Sequence, residues 1–265
     1  MNKSIHTFVV LAYKESEYLE ECICSVLKQD YKSLVVIATS TPNEYIERIA
    51  KKYHLNIIVN LNAGKGIGCD FDFARNCVKN TLITVAHQDD IYDKTYSRNV
   101  IDMYRKNPDA LILFSDYYEV RNKKKVYKNL NLNIKRFLLF PLNMKSIAGK
   151  KIIKRGILAL GNSICCPAVT YVNDNIKEQE IFPRDLLCNV DWKAWEVLSL
   201  KKGKFLYINK PLMGHRVHEA STTSEIIHNN IRTKEDIEIL ESFWPKKIAH
   251  IIAKIYALSE KSNEN

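Results

Sequence analysis

Asp89 and Asp90 stand side by side directly after a short apolar run, residues 82–86, and that placement is the first chemistry the sequence offers. Open α/β sheets bind ligands outside the carboxyl ends of their strands. Two carboxylates there suit a hard divalent cation, Mn2+ or Mg2+, whose shell phosphate oxygens and water complete. The plainer reading is an exposed turn opening the next helix, a place where Asp is also favoured. A second feature is the loop Gly64-Lys65-Gly66-Ile67-Gly68 between a strand and a helix. A dinucleotide finger needs a third glycine where Cys69 stands, and it follows a first strand, whereas this loop follows the third. The loop therefore reads as a phosphate-contacting or simply flexible turn.

Positioning such groups takes a sheet. Residues 7–13 form a continuous apolar, β-branched run, and 16–29 place Tyr18, Leu19, Cys22, Ile23, Val26 and Leu27 at helical spacing. This is a buried parallel strand followed by a crossover helix. Residues 34–38 read as a second strand, and Thr41-Pro42 as the start of the next helix. A third strand is expected at 55–59, a helix at 70–79, and a fourth strand at 82–86 that ends in His87-Gln88-Asp89-Asp90. Repeated βα units imply a doubly wound α/β sheet. Beyond it the sequence predicts a helix over 96–106, a strand over 110–114, at least one amphipathic helix within 121–155, and strands at 167–172 and 204–208 flanking a helix that starts near Asp191. In the tail, Ile248, Ile251, Ile252, Ile255 and Tyr256 form one stripe, expected to dock on the domain, with membrane-surface contact as the alternative.

With 265 residues, 46% hydrophobic and 26% charged, the chain has enough apolar material for a real core and falls outside disordered and collagenous classes. Its seven cysteines are odd in number and show no C-x-x-C spacing, which fits reduced thiols inside the cell. The apolar run at 8–12 is far short of the ~18 residues of a membrane span and lacks a signal-peptide pattern, so a cytoplasmic protein is expected. Net charge is +10, and residues 121–155 hold twelve Lys or Arg with no Asp or Glu. That segment is a solvated helical face, a nucleic-acid patch or a surface resting on anionic lipid at the inner face of the membrane. Its aromatic interleaving, Tyr127, Phe137 and Phe140, is thin for single-strand binding, and no nucleic-acid partner is expected.

The strand from Phe8 to Tyr13, then Lys14-Glu15, the helix through Ser25-Val26-Leu27-Lys28-Gln29, and Asp30-Tyr31 together resemble the opening of family 2 glycosyltransferases. The resemblance continues in Ala74-Arg75-Asn76 and in His87-Gln88-Asp89-Asp90, which is similar to the Asp-x-Asp-Asp metal motif of that family. It resumes at Asp191-Trp192 with Trp195, and at His215-Arg216-x-His218 followed by Ser221 and Thr222, so that it spans about residues 5 to 225. It implies a GT-A fold: a Rossmann-like, mainly parallel central sheet flanked by helices, here with a C-terminal helical extension. The expected division is a 1–225 transferase domain, with 1–116 binding the nucleotide sugar and 117–225 the acceptor, and a 226–265 helical tail.

The implied activity is inverting, metal-dependent transfer from a nucleotide-diphosphate sugar, UDP-linked by preference and dTDP-linked as an option. The implied acceptor is a glycan or lipid-linked glycan in the synthesis of cell-surface polysaccharide or glycoconjugate. By the same resemblance Asp89 coordinates the metal with Asp90 close by, and Asp191 is the general base. Donor contacts fall to Ala12, Tyr13, Glu15, Thr39, Ser40, Lys65, Gly66, Asp70, Arg75, His87, Gln88 and Arg216. His215, Arg216 and His218 read as a cationic loop closing over the diphosphate, with either histidine able to reach the metal, His218 preferred. Trp192 and Trp195 are core anchors or, as aromatic faces, acceptor platforms.

Two departures from the family pattern stand out. The acidic pair expected after the second strand is replaced by the neutral stretch Ile37-Ala38-Thr39-Ser40-Thr41, and the first acid of the metal motif is His87. Any ribose contact then falls to imidazole, to Asp70 or Asp72, or to nothing. The alternatives are a nucleotidyltransferase, for which Ala12-Tyr13-Lys14-Glu15 is the wrong first loop, and a catalytically silent nucleotide binder or basic nucleic-acid-binding protein.

Overall fold

The computed structural model describes residues 4–62, 64, 66–218 and 231–261, the side chains of 258–261 excepted. The alternation expected of the first part is present as β1 (His6–Ala12), α1 (Leu19–Leu27), β2 (Leu34–Thr39), α2 (Glu44–Tyr53), β3 (Ile57–Val59), α3 (Ile67–Asn76) and β4 (Leu82–His87). β1 pairs in parallel with β2 on one side and β4 on the other, and β2 pairs in parallel with β3. Phe8, Val9 and Val10 are buried on both faces of β1, as a strand under crossover helices must be. The strand order β3-β2-β1-β4 reverses at β1, so a crevice opens outside the carboxyl ends of β1 and β4.

After β4 come β5 (Ile91–Tyr92), α4 (Tyr96–Lys106), β6 (Ala110–Arg121), β7 (Lys124–Val126), α5 (Leu130–Leu139), α6 (Lys151–Gly156), β8 (Val169–Val172), α7 (Val190–Ser199), β9 (Lys204–Val217), α8 (Ile231–Glu241) and α9 (Lys246–Lys261). The sheet continues β4-β8-β6-β9-β5, with β7 on β6. β8 runs antiparallel to both β4 and β6, while β6 and β9 are parallel, so the parallel character belongs to the first four strands and the far side is mixed. β6 passes unbroken through 116–117, and the two expected halves share one sheet.

Several expectations need correction. The helix foreseen at Thr41-Pro42 starts at Glu44, because the Asn43 side chain accepts the Ile46 N–H at 2.9 Å and caps it. The third helix starts at Ile67, released by Gly66 at φ +89°. Gly68 lies against the 182–183 backbone, where a Cβ would sit 2.2 Å from the Pro183 carbonyl oxygen. The cationic segment at His215 and Arg216 is strand, with His215 opposite Glu119 and Arg216 opposite Val120. It stays in the sheet because β6 runs on to Arg121 beside it and Gly214 leaves room for the Tyr118 ring, 2.7 Å from where a Cβ would lie.

The tail is built into the domain. Glu235 of α8 accepts the backbone N–H groups of Leu187, Cys188 and Asn189 at 2.7, 2.9 and 2.9 Å, and Asp236 accepts the Asn189 side-chain amide at 2.8 Å. The expected apolar stripe of α9 divides. Ala249, Ala253, Ile252 and Tyr256 pack inward, Tyr256 against Trp192 and Gly161, whereas Ile248, Ile251 and Ile255 are exposed.

Candidate active site

The carboxyl ends of β1 and β4 are tied together by Gln88. Its side-chain amide accepts the Tyr13 N–H at 3.0 Å and donates to the Tyr13 carbonyl at 2.9 Å. Gln88 therefore positions the Tyr13 loop. Ala12 is buried, and Tyr13 and Glu15 are exposed beyond it. The loop bends at Lys14, φ +54°, where its N–H reaches the Thr41 hydroxyl at 2.6 Å.

At the ends of β2 and β3, Thr39 is buried and accepts the Thr41 N–H at 3.0 Å. Asp70 reaches over from α3, accepting the Ser40 hydroxyl at 2.9 Å and the Asn60 amide at 2.8 Å. The carboxylate absent from the second strand is thus delivered by the first turn of α3. Asp72 turns the other way, to the Ile181 and Phe182 N–H groups and the Arg184 guanidinium. Lys65 lies outside the described residues, and so do Ser221 and Thr222; Gly66 shapes the entry to α3.

At the end of β4 and just past it, His87, Asp89 and Asp90 bring one ligand atom each to within 4.8 Å of one another. Asp90 is fully buried, its Oδ1 accepting the Arg216 N–H at 2.9 Å and lying 3.1 Å from His215 Nδ1. Its Oδ2 and the Nε2 of His87 are buried without a hydrogen-bond partner. Orphaned buried atoms of this kind ask for an occupant. Two such atoms on residues that cluster with the Asp89 carboxylate fit a divalent cation of mixed oxygen and nitrogen preference. His218 Nε2 lies 3.0 Å from Asp89 Oδ2, within reach of the same place. Burial pushes the Asp89 carboxyl up, but His218, His87 and His215 outweigh it and hold the group below its ordinary value. His215 is pushed down by burial and, more strongly, up by Asp90 and Asp89, so it sits above the ordinary imidazole value.

Arg216 is locked from three sides. Its Nε donates to the Asp89 carbonyl at 2.9 Å, its NH2 group to Glu21 Oε2 at 2.6 Å, and its guanidinium lies 4.3 Å from the Tyr18 ring centroid. Glu21 on α1 and Tyr18 just before it carry no sequence signal beyond their place in the first helix. Arg75 is buried and donates to Asn173 and to the carbonyls of Glu178 and Gln179, so it anchors the 173–179 segment. Trp192 and Trp195 are fully buried core residues, which removes them as acceptor platforms.

Asp191 opens α7 and is held by the Asn162 amide at 2.8 Å and the Trp192 N–H at 2.7 Å. Burial raises its pKa, and Asn162, the Trp192 N–H and Lys135 only partly offset the rise. Lys135, from α5, carries no sequence signal, yet its ammonium lies 5.5 Å from the Tyr117 ring centroid and acts on both Asp191 and His215. Cys165 feels the charges of both Asp90 and Asp191. Asp191 and the carboxylate cluster thus share electrostatic neighbours in Lys135 and Cys165.

This arrangement has relatives. An uncharacterized glycosyltransferase of Haemophilus influenzae is 23% identical over 264 residues, covering 89% of this chain and 73% of its own. One of Rickettsia typhi is 22% identical, covering 91% and 72%. Among solved structures, S. aureus TarS 1–349 in complex with UDP-GlcNAc superposes with a TM-score of 0.60 at 17% identity, over 94% of this chain and 70% of that one. The mannosyltransferase PcManGT from Pyrobaculum calidifontis, in complex with GDP-Man and Mn2+, gives 0.64 at 11% identity over 99% and 76%. The fold is the GT-A α/β fold of these enzymes. Residues 7–166 match the family described as Glycosyl transferase family 2, and with well over half of its length inside that match the chain belongs to this family of glycosyltransferases.

Proposed function

We propose that the protein transfers a sugar, with inversion, from a nucleotide-diphosphate donor to a hydroxyl of a glycan or lipid-linked glycan in the making of cell-surface polysaccharide or glycoconjugate. The observation that carries this reading is the His87, Asp89, Asp90 cluster at the carboxyl end of β4, together with Asp191 held by the Asn162 amide and the Trp192 N–H at the start of α7. His87, Asp89 and Asp90, with His218 beside them, would hold a divalent cation, Mn2+ or Mg2+. When bound, such an ion neutralises charge growing on a diphosphate leaving group.

The chain's own residues supply the rest. Asp191 takes the proton of the acceptor hydroxyl as its oxygen attacks the anomeric carbon, and a carboxylate with a raised pKa is the better base for it. A single displacement with one base inverts the configuration and needs no covalent nucleophile. Arg216, fixed by Glu21 and the Asp89 carbonyl, holds a positive charge beside the diphosphate. Asp70, Ser40 and Asn60 line the nucleoside end, where Asp70 replaces the missing strand-two acids. The UDP-GlcNAc bound to TarS supports a uridine donor, with a dTDP-sugar as the other option, and the GDP-Man and Mn2+ of PcManGT support the metal. Among the described residues no helix is long and apolar enough to cross a membrane. A site on the cytoplasmic side, in peripheral contact with an anionic membrane, completes the reading.

Thermal-shift binding of UDP, dTDP, GDP and CDP with and without Mn2+ tests it. Stabilisation by one diphosphate that depends on Mn2+ is expected, and silence toward all four overturns the reading. Asp191→Asn should keep that binding and lose transfer by several orders of magnitude. Binding without turnover in the unaltered protein would mark a silent nucleotide binder instead.

A further inference from the structure

Of the twelve cations in 121–155, half are engaged inside the fold. Arg121 pairs with Glu119, Arg136 with Asp116 and Arg155 with Glu196. Lys135 sits by Tyr117, while Lys145 and Lys154 donate to backbone carbonyls. Charge alone is therefore a weaker feature of this region than the sequence count suggests. What the structure adds is an apolar shelf. Phe137 on α5, Phe140 just after it and Ile152 on α6 are 79%, 70% and 77% exposed. Phe137 and Phe140 line one shallow hollow with Ile152 and Gly156, and these last two also line a second that reaches Phe243 and Trp244. Large apolar side chains this exposed and this close together mark a contact surface.

We infer that this shelf inserts into the outer layer of an anionic lipid bilayer, with Phe137, Phe140 and Ile152 entering the acyl boundary. Lys150 and Lys151 at the start of α6 and Lys123, Lys124 and Lys128 on and after the β7 hairpin are all exposed, and no carboxylate lies anywhere in 121–155. The apolar surface thus carries basic residues at its edge, Lys151 lining it and Lys150 next along the chain, within a segment of excess positive charge, the pattern of an interfacial anchor. A second copy of the chain is a poorer occupant. A two-fold contact would set this basic segment against itself, in a chain whose net charge is already +10.

The shelf is joined to the catalytic carboxylate by a short stretch of chain. Gly156 and Ala159, which line the second hollow, flank Leu158, whose carbonyl accepts the Trp192 indole N–H at 3.2 Å, and Asn162 beyond them holds Asp191. Resting on the proposed role of Asp191, this continuity names the acceptor class as a lipid-linked one, presented from the leaflet on which the enzyme sits.

The full chain should be sedimented without nucleotide against vesicles of phosphatidylcholine alone and of phosphatidylcholine mixed with phosphatidylglycerol. Binding is expected to the mixed vesicles only, and a measurable part of it should survive molar salt, because insertion is not screened as surface charge is. The triple variant Phe137→Ser, Phe140→Ser, Ile152→Ser should weaken vesicle binding at least about tenfold, while its nucleoside-diphosphate thermal shift stays at the wild-type value. Binding that salt abolishes completely and the triple variant leaves intact would overturn insertion, as would no binding at all. A wild-type dimer that the triple variant turns into a monomer would give the shelf to a second copy and overturn it too. Since vesicle binding is read without donor, its failure leaves the glycosyltransferase reading standing, and loss of the nucleotide response leaves the shelf standing.

Discussion

Gln88 holds the backbone of Tyr13 by both ends of its side-chain amide, at 3.0 and 2.9 Å, across the point where the strand order reverses. The crevice beyond β1 and β4 thus has its width set by a side chain between His87 and the Asp89-Asp90 pair. Gln88→Ala frees the Tyr13 loop without removing a metal ligand. The expected result is a donor KM raised about tenfold, the effect of losing roughly 1.4 kcal/mol of positioning, with Mn2+ affinity unchanged. Gln88→Glu keeps the acceptor to the Tyr13 N–H but sets a second oxygen against the Tyr13 carbonyl, and it should be no better than alanine. Steady-state kinetics over donor and Mn2+ concentrations separate the two effects.

Asp191 and Lys135 make a prediction about pH. A general base works ionised, so transfer should rise with pH through the Asp191 pKa, which burial places above the ordinary carboxylate value. The Lys135 ammonium favours the ionised form and pulls that pKa down. Lys135→Met removes the pull, so the acid limb of the kcat profile should move to higher pH. A move of one unit slows transfer about tenfold on the acid side and leaves the plateau nearly unchanged. Lys135→Arg should restore the wild-type limb. A uniform loss at every pH would instead assign Lys135 to substrate contact.

The parts of this site that the sequence made legible are those that local pattern dictates. Asp89 and Asp90 follow a strand whose buried apolar run is unmistakable, and Asp191 sits at a helix start that both hydrophobic spacing and family resemblance mark. Arg75 is harder to read, because a buried arginine that donates to carbonyls looks, in sequence, like one poised for phosphate; only the fold of 173–179 over it decides. Gln88, Lys135 and Asn162 act through partners 75, 18 and 29 residues away, and no period or spacing encodes such pairings. β9 was cut short for a related reason. Its polar end, His215 and Arg216, is strand because Asp90 and β6 receive it, not because its residues favour extension. The α9 stripe shows the limit of periodicity: five apolar residues at helical spacing do not reveal that small Ala249 and Ala253 make the close approach while three isoleucines face out.

Glu235 ties the tail to the helix that carries Asp191. Its carboxylate accepts three consecutive backbone N–H groups at the entry to α7, the helix whose first turn carries Asp191. Glu235→Ala leaves those donors without their acceptor in a largely buried place, a loss on the order of 2–4 kcal/mol. Urea unfolding should show it as a lower midpoint with little change in slope. The same variant should lose transfer more steeply than donor binding, since Asp70, Asp89 and Arg216 lie on elements that Glu235 does not touch. Equal losses of binding and transfer would place the damage in the whole fold.

His6 predicts the acid stability of the whole domain. It is fully buried at the start of β1, with Nδ1 2.6 Å from the Ser33 hydroxyl and Nε2 2.8 Å from the Thr84 hydroxyl. Burial holds its pKa down to about 3, so the folded protein keeps it neutral while an unfolded chain protonates it below the ordinary imidazole value of 6.5. Between those two values the unfolded state binds a proton that the folded state refuses. The stability His6 contributes is therefore complete above the unfolded value and declines as the pH falls toward the folded one. Near pH 5 the loss from this one group is about 2 kcal/mol. His6→Gln can keep a hydrogen bond to either hydroxyl but cannot titrate, so it should start less stable at about pH 7.5, by roughly 1–2 kcal/mol. Its stability should then fall by about 2 kcal/mol less than wild type on going to about pH 5, since every other titrating group is shared. Urea midpoints at the two pH values decide: converging profiles fit a buried neutral imidazole, and parallel ones show that the folded protein already carries the charge.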